Sequence, residues 1–394
     1  MRRILFVDDE PHILDGLRRM HRARRDRWEM RFAEGGALAI AALSAAPADV
    51  VVTDMHMPQM DGAALLELVA TRWPETVRIV LTGQTDEAAA ARAAHVAHQF
   101  LMKPCDDATL WDVVERTCAQ QDLMRDPALR RLVGAISNLP TAPSIFTALG
   151  VALSDPETGV REIAAIILRD GGLSAKVLQL VNSSFFGQGR QVASIMQATA
   201  LLGTGLIRSL TLAYEVFTPG ASGPTAALME AEQAHAILVA ELARQINPDR
   251  AVEQVVVAAG LLHDIGRVIL AGQRPVEVWE DRRRAEAEGS ALVQVAFERY
   301  GVTHAELGAY LLGLWGLPSQ VVEAVAHHHR PDRCEGRDVR ILGAVHVADA
   351  LIHEVTDRTG GALDCAFVER LGWTGNLEAW RAPAAQASGA GAVI

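Results

Sequence analysis

Cysteine is scarce in this chain and badly spaced for a framework. The four cysteines, Cys105, Cys118, Cys334 and Cys365, include no CxxC pair. That spacing excludes a zinc ribbon and favours reduced thiols over a disulfide scaffold. A basic excess is also missing. The formal net charge is -11 and the sequence pI about 5.6, the wrong balance for a general phosphate-backbone binder. The one basic run, Arg18 to Arg31, reads as a solvated helix face. No apolar run reaches the roughly 18 residues of a membrane span. The N-terminus turns acidic by Asp8, too early for a secretory signal. A cytoplasmic protein with no membrane partner is expected.

What is present is apolar bulk in two rhythms. Half of the residues are hydrophobic, enough for sizeable cores, and the length suits two or three domains. Short apolar runs come first: Ile4-Leu5-Phe6-Val7, Val50-Val51-Val52, Ile79-Val80-Leu81 and Phe100-Leu101-Met102, with a weaker strand near Met30-Phe32. Helical stretches such as Gly62 to Thr71 and Asp106 to Gln121 separate them. This alternation predicts an α/β domain over residues 1–124, a five-stranded parallel, doubly wound, flavodoxin-like sheet with helices on both faces. After Met124 the rhythm changes. Apolar residues recur at helical spacing in Ile163 to Leu168, Leu173 to Leu180, Ala234 to Gln245, Val252 to Leu262 and Val321 to His327. An all-α domain is expected over residues 125–380. Thr218 to Pro224 reads as a loop dividing it into parts 125–217 and 225–380. Pro140, Pro143, Pro156, Pro248 and Pro318 fall at expected helix starts or breaks. Residues 381–394, rich in Ala, Gly and Ser, read as a disordered tail.

In a doubly wound sheet, ligands gather beyond the carboxyl ends of the strands. Strand one is followed by Asp8-Asp9-Glu10, strand three by Asp54, strand four by Thr82-Gly83 and strand five by Lys103-Pro104. Clustered carboxylates bind a hard divalent ion such as Mg²⁺ through oxygen. Asp54 can act as a carboxylate nucleophile and become an aspartyl phosphate. Lys103 supplies a point charge for phosphoryl oxygens, and the Thr82 hydroxyl can bond to another. Loops are polar anyway, but four polar strand ends of this chemistry in one crevice are hard to ascribe to that.

Here the chain resembles the response-regulator receiver family, over about residues 2–122. The match rests on Ile4 to Glu10, Asp54-Met55-His56-Met57-Pro58-Gln59-Met60-Asp61-Gly62, Leu81-Thr82-Gly83 and Phe100 to Pro104. The resemblance implies that Asp54 takes phosphate from a sensor histidine kinase or a small phosphodonor. It implies an acidic pocket of Asp8 and Asp9. Asp9 and Asp54 would bind Mg²⁺, joined by the His56 backbone carbonyl. Phe100 falls where the family often has a switch aromatic that follows the threonine.

The helical half holds a spread set of histidines and aspartates: His235, His263-Asp264, His304, His327-His328-His329 and Asp349. In apolar helical surroundings such groups are costly unless satisfied. Any one could be a helix histidine with a single hydrogen bond. Together they could surround iron, manganese or zinc, which can activate water against a phosphate ester.

This half resembles the HDOD family, a branch of the HD-domain superfamily, over about residues 130–355. The first part carries Leu139-Pro140, Leu168-Arg169-Asp170, Leu180 to Phe186 and Ala198 to Gly203. The second carries Leu261 to Arg267, His304 to Gly308, Trp315-Gly316-Leu317-Pro318, His328-His329 with Pro331, and Val347-Ala348-Asp349. The resemblance implies a metal site of His235, His263, Asp264 and Asp349, with His304, His328 and His329 matching extra ligands of the HD-GYP phosphodiesterases. Two departures weigh against that activity. No Gly-Tyr-Pro follows the histidine run, which continues Arg330 to Gly336, and an acidic ligand expected before His235 falls on Ala231. The preferred expectation is therefore a response regulator whose HDOD output is non-catalytic and binds a downstream protein, with the helix Asp106 to Gln121 transmitting the change. The alternative is a receiver-gated, metal-dependent phosphohydrolase of a nucleotide or cyclic dinucleotide. DNA is the least expected partner, and a homodimer stays open.

Overall fold

The β-branched and apolar runs of the first half pair side by side. In the computed structural model, β1 (Arg2–Asp8), β2 (Trp28–Glu34), β3 (Val50–Asp54), β4 (Val77–Thr82) and β5 (Gln99–Met102) form a parallel sheet in the order β2-β1-β3-β4-β5. The described residues are 1–21, 28–83, 92–94, 96–124, 126–136, 139–141, 143–155, 157–182, 191–212, 218–219, 224–288, 290–334, 336, 339–356 and 361–391. β3 and β4 are buried along their whole length, as strands covered on both faces require. The register sets Ile4 against Val50, Asp54 against Leu81 and Thr82 against Met102. The strand order reverses between β1 and β3, which opens the crevice at their carboxyl ends.

Helices α1 (Pro11–His21), α2 (Gly36–Ala45), α3 (Gly62–Arg72) and α4 (Asp107–Leu123) accompany the sheet. Asp61 and Asp106 cap α3 and α4 by accepting the Ala64 and Thr109 amides. The helical half follows as α5 (Pro127–Gly134), α6 (Pro143–Ser154), α7 (Val160–Ile167), α8 (Gly171–Asn182) and α9 (Ile195–Leu212). Then come α10 (Pro224–Ile246), α11 (Glu253–Leu262), α12 (Ile265–Gln273), α13 (Pro275–Glu288) and α14 (Leu292–Tyr300). The last are α15 (His304–Leu314), α16 (Ser319–His327), α17 (Arg340–Thr356), α18 (Cys365–Arg370) and α19 (Leu377–Gly391).

Several expectations need correction. The second half is helical as expected, with one short pairing that the expectation lacked: β6 (Pro140–Thr141) and β7 (Thr218–Pro219) run in parallel. Two-residue strands are too short to show alternation in sequence. The expected loop Thr218 to Pro224 thus starts as a strand and ends as the first residue of α10; 220–223 lie outside the described residues. The expected disordered tail is helical through Gly391, because Ala-rich sequence favours helix. Its Ala384 is buried, and Leu377 and Trp380 pack on the core. The basic run is not one helix face, since Arg31 lies on β2 and donates to the Ala42 and Ala46 carbonyls. Glu253–Gln273 is long and apolar enough to cross a membrane, at mean hydropathy 1.7, yet 72% of that window is buried inside the fold. It is two helices broken at His263-Asp264, a core segment rather than a span. Pro156, Ser183 to Phe186 and Glu335 lie outside the described residues.

The two halves share one continuous apolar core reaching from Ile4 to Ala384. Polar side chains also cross the seam. Gln99 of β5 donates to the Leu314 carbonyl at 2.8 Å. Gln179 of α8 donates to the Ala97 and His98 carbonyls at 3.1 and 2.9 Å. Arg78 of β4 donates to the Gly134 carbonyl at 2.8 Å. Lys176 is 1% exposed; its Nζ donates to the Ala94 carbonyl at 2.7 Å and lies 5.1 Å from the Trp315 ring centroid. Burial, then the Arg78 charge, push Lys176 down to about 7. Burial first, then Arg78 and Lys176, hold His98 well below the usual histidine range.

The lowered Lys176 value predicts a pH effect. From about pH 7 to its ordinary value of 10.5 the unfolded chain keeps a proton that the folded chain releases, so stability rises with pH across that window. In urea unfolding of the full chain, wild type should gain on Lys176→Met there by up to about 1.4 kcal/mol per pH unit. Parallel pH profiles for the two proteins would refute it.

Candidate functional site

The parallel register delivers four strand ends to one edge of the sheet. Asp8 closes β1, Asp54 closes β3, Thr82 closes β4, and Lys103 follows β5. Lys103 Nζ lies 3.0 Å from Asp8 Oδ2 and pairs also with Asp54 Oδ1. Asp8 and Asp54 are 2% and 7% exposed, and Asp9 next to them is half-buried. Burial opposes the Lys103 charge, but hydrogen bonds to Asp54 and Asp8 outweigh it and raise Lys103 above its ordinary value. The Thr82 hydroxyl is buried without a hydrogen-bond partner. The His56 amide donates to Asp54 Oδ2 at 2.9 Å, while its side chain is exposed. Phe100 is buried opposite Val80. The Lys103–Pro104 peptide is cis.

Gly62 sets the back of this pocket. A Cβ there would lie 2.2 Å from the Asp54 carbonyl oxygen, so α3 approaches the Asp54 turn only with glycine. Three carboxylates stand at this edge against one ammonium. Oxygen donors in that charge balance suit a hard divalent cation.

The second cluster lies in the helical half. His235 projects from α10, and His263-Asp264 occupies the break between α11 and α12. His304 opens α15, His328-His329 follows α16, and Asp349 sits on α17. All of these sequence candidates come together. His235 Nε2 lies 3.0 Å from Asp349 Oδ1, and His304 Nε2 lies 2.9 Å from Asp264 Oδ1. His329 Nε2 and His304 Nε2 are 3.1 Å apart. His263 Nδ1 meets the Gly260 carbonyl at 2.7 Å, and His328 Nδ1 meets the Val325 carbonyl at 2.8 Å. Those bonds fix each ring and leave its Nε2 turned to the cluster, the outer support that ligating imidazoles use.

The electrostatics fit a cation. Burial holds Asp264 and Asp349 in an environment hostile to charge, yet Arg267, His263 and His304 keep Asp264, and His235, His263 and His353 keep Asp349, well below the usual carboxylate range. Burial lowers His235, His329 and, to about 4, His304, which disfavours their charged forms. His263 is buried, but Asp264 and Asp349 raise it to about 10. A metal would replace that proton. Both Asp264 oxygens and the Nε2 atoms of His263 and His328 are buried and make no hydrogen bond of ordinary geometry. The donor set therefore fits a borderline metal such as zinc, iron or manganese.

Sequence reasoning missed two features. His353, one turn beyond Asp349, has its Nε2 3.1 Å from Asp349 Oδ1; the signal was its spacing of four on a helix. Arg267 lies 3.2 Å from Asp264 and 3.4 Å from Glu232, which Arg282 also holds at 2.6 Å. Ala231 is exposed, so that position does not face the cluster. His327 is outside the metal-competent groups, whose members include His328 and His329.

A parallel sheet ending in an aspartate–lysine pocket, joined to a helical half with a histidine–aspartate cluster, defines a receiver-type signalling protein. Residues 4–115 match the response regulator receiver domain and residues 139–331 match the HDOD domain. The chain therefore carries a response regulator receiver domain followed by an HDOD domain. The hydrogenase transcriptional regulatory protein HoxA of Cupriavidus necator is 30% identical over 182 residues, 42% of this chain and 37% of that protein. The DNA-binding transcriptional regulator NtrC of Escherichia coli is 30% identical over 122 residues, 30% of this chain and 26% of that protein. This chain thus spans well under half of these relatives. A virulence factor of Campylobacter jejuni shares the fold at 17% identity and TM-score 0.52, over 68% of this chain and 98% of that one. The MmoQ response regulator of Methylococcus capsulatus aligns at 27% identity and TM-score 0.48, over 62% of this chain and 98% of that one.

Gly266 holds the helical cluster together. Its added Cβ would fall 1.9 Å from the His304 carbonyl oxygen. Gly266→Ala should cost about 3 kcal/mol of stability, the upper range for overpacking, and lower the thermal midpoint measured by circular dichroism. An unchanged midpoint would contradict this close approach.

Proposed function

We propose that Asp54 accepts a phosphoryl group from a histidine kinase or small phosphodonor, and that the HDOD half passes the signal on by binding a protein. The observation that carries this is Lys103 bridging Asp8 and Asp54 beside the free, buried Thr82 hydroxyl. A carboxylate oxygen of Asp54 attacks phosphorus as the donor's bond to it breaks, giving an acyl phosphate. Mg²⁺ would be held by Asp9, Asp54 and the His56 carbonyl, and supplies countercharge for the incoming phosphoryl group. Lys103 exchanges one carboxylate oxygen for a phosphoryl oxygen, and Thr82 donates its unused hydroxyl to another.

The seam gives that change a route. Thr82 pairs with Met102 on β5, and Phe100 lies on the same strand. Gln99 at its start is tied to Leu314, and the preceding residues to Gln179 and Lys176. A shift of β5 therefore biases the arrangement of α8 and α15 against the receiver.

A binding output is favoured over turnover by the closure of the helical cluster. Its His and Asp groups are buried apart from His329, which is half-buried. Among the described residues, the cavities touching Asp264 and His304 measure about 20 and 30 Å³, room for a water or two. Such closure suits a structural metal, whereas catalytic centres keep an open position. The rival reading is a phosphohydrolase, favoured by the retention of so many donor groups.

Incubating the full chain with acetyl phosphate and Mg²⁺ should give a phosphoprotein in wild type and none in Asp54→Asn, with at least a roughly tenfold loss in Lys103→Ala. Labelling of Asp54→Asn equal to wild type would refute the acceptor. Nucleotide or cyclic-dinucleotide hydrolysis lost in His263→Ala would establish the rival.

A further inference from the structure

The helical cluster holds more donors than one ion uses. Among the described residues, six histidines and two aspartates make up the metal-competent groups: His235, His263, His304, His328, His329, His353, Asp264 and Asp349. A borderline ion takes four ligands in a closed site, expanding to five. Two of the groups have no member in common. One is His235, Asp349 and His353; the other is Asp264, His304, His328 and His329, and within each the ligand atoms lie within 4.8 Å of one another. His263 joins both neighbourhoods, grouping once with His235 and Asp264 and once with His328 and Asp349.

His353 is the unassigned member. It is 5% exposed and lies on α17 one turn after Asp349. Residues four apart share a helix face, the spacing by which paired ligands on one helix grip a single ion. The duller reading is a core histidine hydrogen-bonded to Asp349. The geometry is poor for that, since neither ring nitrogen makes a hydrogen bond of ordinary geometry. Instead the Nε2 atoms of His353, His235 and His263 crowd the same Asp349 oxygen at 3.1, 3.0 and 3.5 Å. The His235 and His353 rings lie 4.7 Å apart. Convergence of three ring nitrogens and one carboxylate oxygen is the layout of a coordination shell.

We infer that His353 is a metal ligand, which with Asp349 and His235 holds a cation separate from the one held by Asp264, His304, His328 and His329. This rests on reading the cluster as a metal centre.

The test is metal stoichiometry on the full chain. The protein is stripped with chelator, titrated with Mn²⁺ or Zn²⁺, desalted and assayed by elemental analysis. Wild type should saturate at two ions per chain. His353→Gln should keep the first and lose or weaken the second by roughly ten- to a hundredfold. His304→Gln should instead weaken the other ion. His353→Asp, which keeps a donor oxygen on the same turn, should recover the second ion and guards against a folding defect in the glutamine variant. Wild type saturating at one ion, or His353→Gln binding two as tightly as wild type, overturns the inference alone. No ion in wild type overturns the metal centre itself.

Discussion

A charge taken out of water must find a countercharge or a ring of dipoles, because the interior returns little of the hydration it removes. This fold meets that demand in three places. At the receiver edge, Lys103 stands between Asp8 and Asp54. At the seam, Lys176 and Arg78 are dispersed over backbone carbonyls. In the helical half, Asp264 and Asp349 are set among histidines and Arg267. The solutions differ in kind. The first leaves room for a divalent ion and a phosphoryl group. The second ties two domains together. The third leaves lone pairs unspent.

These places are mechanically connected. β5 ends one residue before Lys103, and its first residue bonds to the output half. The segment before it receives the side chains of α8. α4 packs on α15, where a Cβ at Gly313 would lie 2.6 Å from Gln120. The same α15 begins with His304 of the cluster. Charge added at Asp54 is therefore one strand and one helix away from the histidines, through elements packed at interior density.

The receiver was legible in the sequence because its site is local to strand ends. Asp8, Asp54, Thr82 and Lys103 each follow a recognisable apolar run, and a parallel sheet has little choice but to align such ends. The helical cluster was half legible. His235, His263, Asp264, His304, His328, His329 and Asp349 could be named in order, but helical periodicity does not say which faces meet. His353 went unnoticed for that reason. So did the Glu232 network and the short pairing of Pro140–Thr141 with Thr218–Pro219, which has no periodic signature. The tail misled because Ala-rich sequence serves equally for a loose end and for a helix, until Ala384 finds a core to enter.

The amino-acid order by itself determined the two-part architecture, the sheet class and the identity of the acidic and basic groups at its edge. These follow from period, strand length and the residues that close each strand. Tertiary structure alone decided that Lys176 lies buried against the receiver and that His353 shares an oxygen with His235. It also decided that glycines at 62 and 266 are needed for close approach. Each depends on a distance between elements far apart in the chain, and no local pattern encodes such a distance.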